Sequence, residues 1–250
     1  MESLVHSVLS ENRTNFIAPF SRIFERHIRT QLRGVGGTLI EEEELREILG
    51  RESPVPDALL TYPGVNVFIE SKAGLFDESV MVVGSAEIFS HKTRALRRAM
   101  LQGWTASVGV RTRPHGYRQV RGADVDYLLI VTNRDLLACN GVGLKETYPE
   151  GTLDYPDPDC ERYLPLERVY VLSIDDFERL VAAAREGTAH LPAVLERCVA
   201  ADRDPHTQKL LFEQHLAAQR IPLSFSDLVN DAIEGSSKRL EAALGDNLAV

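Results

Sequence analysis

Pro56-Asp57-Ala58-Leu59-Leu60-Thr61-Tyr62-Pro63-Gly64-Val65-Asn66-Val67-Phe68-Ile69-Glu70-Ser71-Lys72 reads as two short apolar strands joined by a Pro-Gly turn. Pro63 presets φ and Gly64 accepts a positive φ, which suits the two central positions of a type II turn. Counting outward from that turn sets Tyr62 opposite Val65 and Asp57 opposite Glu70. Side chains alternate faces along a strand, so Asp57, Glu70 and Lys72 share one face. Two carboxylates opposed across a ladder repel each other unless something positive lies between them, and a divalent cation is the natural candidate. The plain alternative is an ordinary hairpin ending in a solvated Glu/Lys pair.

Pro56-Asp57 and Glu70-Ser71-Lys72 resemble the two halves of the PD-(D/E)XK signature, and the apolar Val67-Phe68-Ile69 leads into the second half as a buried strand does. The PD-(D/E)XK nuclease superfamily has a restriction-endonuclease-like fold. The resemblance implies a Mg²⁺ ion held by Asp57, Glu70 and the Ser71 carbonyl, with Mn²⁺ as a substitute. It assigns Lys72 to the attacking water. Magnesium favours hard oxygen ligands, and a bound ion lowers the pKa of its water. The activity implied is endonucleolytic hydrolysis of DNA phosphodiester bonds, in a setting such as bacterial defence or DNA repair. RNA stays open as a substrate. The rival reading is a nuclease-fold binding module without turnover, or a subunit of a larger nucleic-acid-processing complex.

Two further residues join the site by the same resemblance. Phe16, Phe20, Ile23, Phe24, Ile28 and Leu32 recur at helical spacing, with Pro19 expected in the first turn. Glu25 lies at the edge of that apolar stripe, where members of the superfamily place an acid near the metal; otherwise it pairs with Arg22 or Arg29. Gln102 falls near the end of a helix after the Glu-X-Lys strand and is a candidate for the scissile phosphate, or else an amide bonded to backbone. The glutamates at 41–44 open a short helix ended by Gly50, and a solvated face is the expectation for them.

The net charge of −9 over 250 residues argues against a protein that coats nucleic acid non-specifically. Residues 88–123 nevertheless contain no acid. Lys92, Arg94, Arg97, Arg98, Arg111 and Arg113 in that stretch are candidates for gripping a phosphate backbone, or form a basic face that neutralises acidic parts of the chain. His115 reads as a lone surface histidine. A composition of 44% hydrophobic and 26% charged residues is that of a soluble globular chain. The absence of a long apolar run and of signal-peptide features points to a cytoplasmic protein without a membrane partner. Cys139, Cys160 and Cys198 lack metal or disulfide spacing.

Ser107-Val108-Gly109-Val110, residues 125–132 and residues 169–172 read as further strands, and 148–163 as an exposed loop. Ser173 opens a helix, and helical segments follow at 177–185, 191–201, 207–219 and 227–244. The expectation is an α/β fold, a mixed central sheet flanked by helices. Residues 1–174 form the nuclease-like core and 175–250 a helical extension, with a homo-oligomer or a partner subunit open.

Overall fold

The computed structural model describes residues 13–73, 90, 93–113, 118–135, 140–222 and 235–236. Its centre is a five-stranded mixed sheet in the order β1-β2-β3-β4-β5. The strands are β1 (Thr38–Glu41), β2 (Ala58–Tyr62), β3 (Val65–Lys72), β4 (Val125–Thr132) and β5 (Val169–Ser173). β1, β2 and β3 form an antiparallel meander, whereas β4 runs parallel to β3 and β5 parallel to β4.

The Pro-Gly turn sets the hairpin register. Gly64 has φ +77°, and Tyr62 pairs with Val65, Leu60 with Val67 and Ala58 with Ile69. β3 and β4 are buried almost from end to end, as parallel strands covered on both faces must be.

Helices α1 (Arg13–Leu32), α7 (Ile174–Arg185), α8 (Leu191–Asp202) and α9 (Phe212–Ala218) supply one core. Phe24, Ile28, Leu180, Val194 and Phe212 meet Val67, Ile69, Leu129 and Tyr170 there. Helices α2 (Glu42–Leu49), α3 (Arg94–Thr112), α5 (Gly141–Thr147) and α6 (Pro158–Tyr163) supply the other. In it Leu45, Leu49, Met100, Trp104 and Leu144 meet Leu59, Phe68, Leu128 and Ile130. The short α4 (Arg118–Arg121) precedes β4.

Several expectations need correction. The segment 107–110 lies inside α3, where Ser107 and Val110, three residues apart, are buried on one face of the helix. Pro19 lies in the interior of α1, because the helix begins six residues earlier, at Arg13. Residues 148–163 include α6, and Leu153 and Cys160 are buried. Strand β1 was not foreseen, being four residues long and running straight into α2. Residues of α7, α8 and α9 share a hydrophobic core with one face of the sheet. The helix expected at 227–244 falls outside the described residues apart from 235–236. Among the described residues no helix is long and apolar enough to cross a membrane.

Candidate active site

Three strand ends bring the acids together. The β1–β2 register pairs Glu41 with Ala58, and the β2–β3 register pairs Ala58 with Ile69. One step further along both ladders, Asp57 falls between Glu42 on one side and Glu70 on the other.

Asp57 sits one residue before β2, and its amide donates to Glu70 Oε2 at 3.2 Å. Its carboxylate does not meet Glu70 directly. Oδ2 accepts from the Ser71 amide at 2.6 Å and from the Ser71 hydroxyl at 2.5 Å. Burial raises the Asp57 carboxyl above its ordinary value, opposed by the Ser71 hydrogen bonds and the Lys72 charge.

Glu70 is 2% exposed. Lys72 Nζ donates to its Oε1, and the pair forms a buried ion pair. Burial first, and then the Asp57 charge, push Glu70 up to about 8. Lys72 also reaches Gln102 Oε1 at 3.3 Å. The Gln102 amide nitrogen donates to the Val55 carbonyl at 2.9 Å, tying α3 to the segment that carries Pro56 and Asp57. The next residue explains the reach: a Cβ on Gly103 would lie 2.6 Å from Leu128, so the glycine lets α3 lie close on β4. The sequence assigned Gln102 by resemblance, and its neighbours here are Lys72 and the Val55 carbonyl.

Glu25 and Glu42 complete the acidic side. Carboxylate oxygens of Glu25, Glu42 and Asp57 all lie within 4.8 Å of one another. Glu25 also pairs with Arg29 at 3.2 Å, and Glu42 with Arg46 at 2.5 Å. Burial and then Asp57 raise the Glu25 carboxyl, while Arg29 lowers it. Glu42 corrects the expectation that the glutamate run stands apart from the site. Only the first residue of α2 is carried there, by the β1 register; the Glu43 side chain is 76% exposed and faces Arg29 at 3.6 Å. Recognising β1 as a strand would have revealed Glu42 by the same counting that aligned Asp57 with Glu70.

The basic segment divides. Arg94, Arg97 and Arg98 are exposed on the first turns of α3, and Arg113 is exposed just past its end. Arg111 is a correction. Its guanidinium bonds both oxygens of Asp126, at 2.5 and 2.8 Å, and lies 4.4 Å from the centre of the Tyr163 ring. Asp126 is fully buried, so this arginine neutralises an internal charge rather than facing outward. Lys92 and His115 lie outside the described residues.

No protein-family model matches the chain, and no curated protein matches it. Among solved structures the chain is similar to the small subunit (R.BspD6I2) of the heterodimeric restriction endonuclease R.BspD6I. The two are 14% identical with a TM-score of 0.40, over 87% of this chain and 95% of that one.

Proposed function

We propose that this protein is a Mg²⁺-dependent nuclease with a restriction-endonuclease-like fold that hydrolyses phosphodiester bonds of DNA. The observation that carries the reading is the convergence of Asp57, Glu70, Ser71, Lys72 and Gln102 at one end of the hairpin, joined by mutual hydrogen bonds. The donor set suits the ion: Glu25, Glu42 and Asp57 offer clustered carboxylate oxygens without nitrogen or sulfur, the ligand type a hard cation prefers. Asp57, Glu70 and the Ser71 carbonyl would hold it, and Glu25 and Glu42 would add oxygens on the Asp57 side. Bound there, Mg²⁺ would lower the pKa of a coordinated water and offset charge growing on the phosphate.

The protein's own groups supply the rest. Lys72 would exchange its bond to Glu70 for one to the attacking water, orienting it toward phosphorus. Gln102 would hold the ammonium in place, itself fixed by the Val55 carbonyl. Arg94, Arg97 and Arg98 would receive the backbone phosphates flanking the cut.

The test is cleavage of linear, circular, single-stranded and duplex DNA, with RNA in parallel, in Mg²⁺, Mn²⁺ or chelator. Asp57→Ala and Lys72→Ala should each abolish metal-dependent cleavage while leaving the fold intact. Unchanged cleavage by both variants sinks the assignment.

One observation favours the alternative, a nuclease-fold binding subunit without turnover. The Glu70 carboxylate is already engaged by Lys72 and by the Asp57 amide, and its raised pKa favours the protonated acid. Melting temperature measured against Mg²⁺ concentration separates the readings, since a true site is stabilised by its ion.

A further inference from the structure

Helix α1 presents a row of arginines on the side turned away from the core. Arg22, Arg26 and Arg29 recur at spacings of four and three, which confines them to an arc of about 60° at helical periodicity. Arg33, one residue past the helix end, continues the row four residues on. Phe24 and Ile28 occupy the opposite, buried side. Glu25, the sole acid of α1, borders the row and meets Glu42 and Asp57. The row therefore runs directly beside the acidic cluster.

Its charge is only partly matched. Arg29 pairs with Glu25 at 3.2 Å and with Glu43 at 3.6 Å, and Arg33 with Glu41 at 3.5 Å, all acids on the rim of the site. Arg22 and Arg26 are exposed, and neither has an ion pair among the described residues. Arg22 Nε donates to the Ala18 carbonyl of its own helix at 3.4 Å. Acids outnumber bases by 37 to 28 in the chain, so this concentration of cations runs against the overall charge. All four are arginines, whose planar fork fits the oxygens of a phosphate in a way a lysine does not. From Arg22 to Arg33 the row spans roughly 16 Å at helical rise, about five phosphate intervals of one duplex strand. Ile23 is the one exposed large apolar side chain of residues 17–32, too little apolar surface for a lipid bilayer.

We infer that this face of α1 binds the phosphate backbone of one strand of a DNA duplex, on the opposite side of the acidic cluster from Arg94, Arg97 and Arg98. The identity of the polyanion rests on the nuclease reading; the surface rests on the row itself. α1 and α3 pack on opposite faces of the sheet, so the duplex would cross the strand ends with one backbone on each helix.

The test is fluorescence anisotropy of labelled duplexes of two unrelated sequences, titrated with the full chain at several salt concentrations. One series contains chelator, and a second contains Ca²⁺ to neutralise the acidic cluster. Arg22→Gln and Arg26→Gln should each weaken binding to both duplexes alike, and each should reduce the slope of log affinity against log salt by about one. Arg121→Gln removes an exposed arginine at the far end of the sheet and should change neither. Cleavage in Mg²⁺ is followed in parallel. Binding that depends on Arg22 and Arg26 without cleavage supports the inference and sinks the nuclease reading. Binding unchanged in both variants overturns the inference, whether or not cleavage occurs. An equal loss in Arg121→Gln overturns it too, as does absence of binding in both series or tighter binding to vesicles of anionic lipid than to either duplex.

Discussion

Asp57 and Ser71 are joined twice: one carboxylate oxygen of Asp57 accepts both the amide and the hydroxyl of Ser71, across the open end of the hairpin. Asp57 lies outside the strand ladder, so this clasp substitutes for the pairing that β2 no longer provides. Ser71→Ala removes the hydroxyl and keeps the amide. Outer partners of metal-binding carboxylates typically matter by 10–100-fold, so the Mg²⁺ concentration for half-maximal cleavage should rise about tenfold. Cleavage rates measured against Mg²⁺ concentration, with melting temperature as a control, check this.

Glu42→Gln and Glu43→Gln remove the same charge from neighbouring positions of α2. Only Glu42 lies with Glu25 and Asp57. The first variant should diminish the Mg²⁺-induced rise in melting temperature, and the second should leave it as it is. Loss of the exposed Arg46 pair in the first costs little, about 0–1 kcal/mol. Equal responses from the two variants would remove Glu42 from the site.

The pH dependence follows from Glu70. Its carboxyl moves from an ordinary 4.5 up to about 8, chiefly through burial and then through Asp57. The native state therefore binds more protons than the unfolded state between those values. The stability this provides is fully present below the unfolded value and is lost as pH rises through about 8. A cation that replaces the proton should restore it. Melting curves with and without Mg²⁺ should diverge more at about pH 9 than at about pH 6.

Arg111→Met should be severe and Arg113→Met mild. The first strands a fully buried Asp126 carboxylate, which still touches Ser107 and Asn66. Breaking a buried pair from one side costs about 3–5 kcal/mol. Arg113 is exposed at the end of α3, and its loss should stay within about 0.5 kcal/mol. Urea denaturation distinguishes the two, and a mild Arg111 variant would contradict the internal role.

What the sequence disclosed depended on the range of the signal. Pro63-Gly64 is a local device, and counting from it anticipates the whole β2–β3 register. The apolar run 125–132 likewise marks β4 residue for residue. Glu42 was hidden because its placement depends on β1, whose four residues carry no readable alternation before α2 begins. Residues 107–110 look like a strand by composition, yet their buried positions continue the helical face of Met100 and Trp104. Arg111 looked available because Asp126, fifteen residues away and inside a strand, gives no sequence sign of being its partner.

β3 is laddered on both sides, against β2 through Ile69 and against β4 along all of 65–72. A one-residue slip would turn Glu70 and Lys72 to the wrong face, so these two groups have almost no freedom to be misplaced. Asp57 has no ladder and is held by the Ser71 clasp, by the bond of its own amide to Glu70 and by the Gln102 bond to Val55. The site is thus built like a vice with one jaw cast into the frame and the other on a hinge. Adjustment to an occupant of a different size falls to Asp57, while Glu70 and Lys72 keep the reference position.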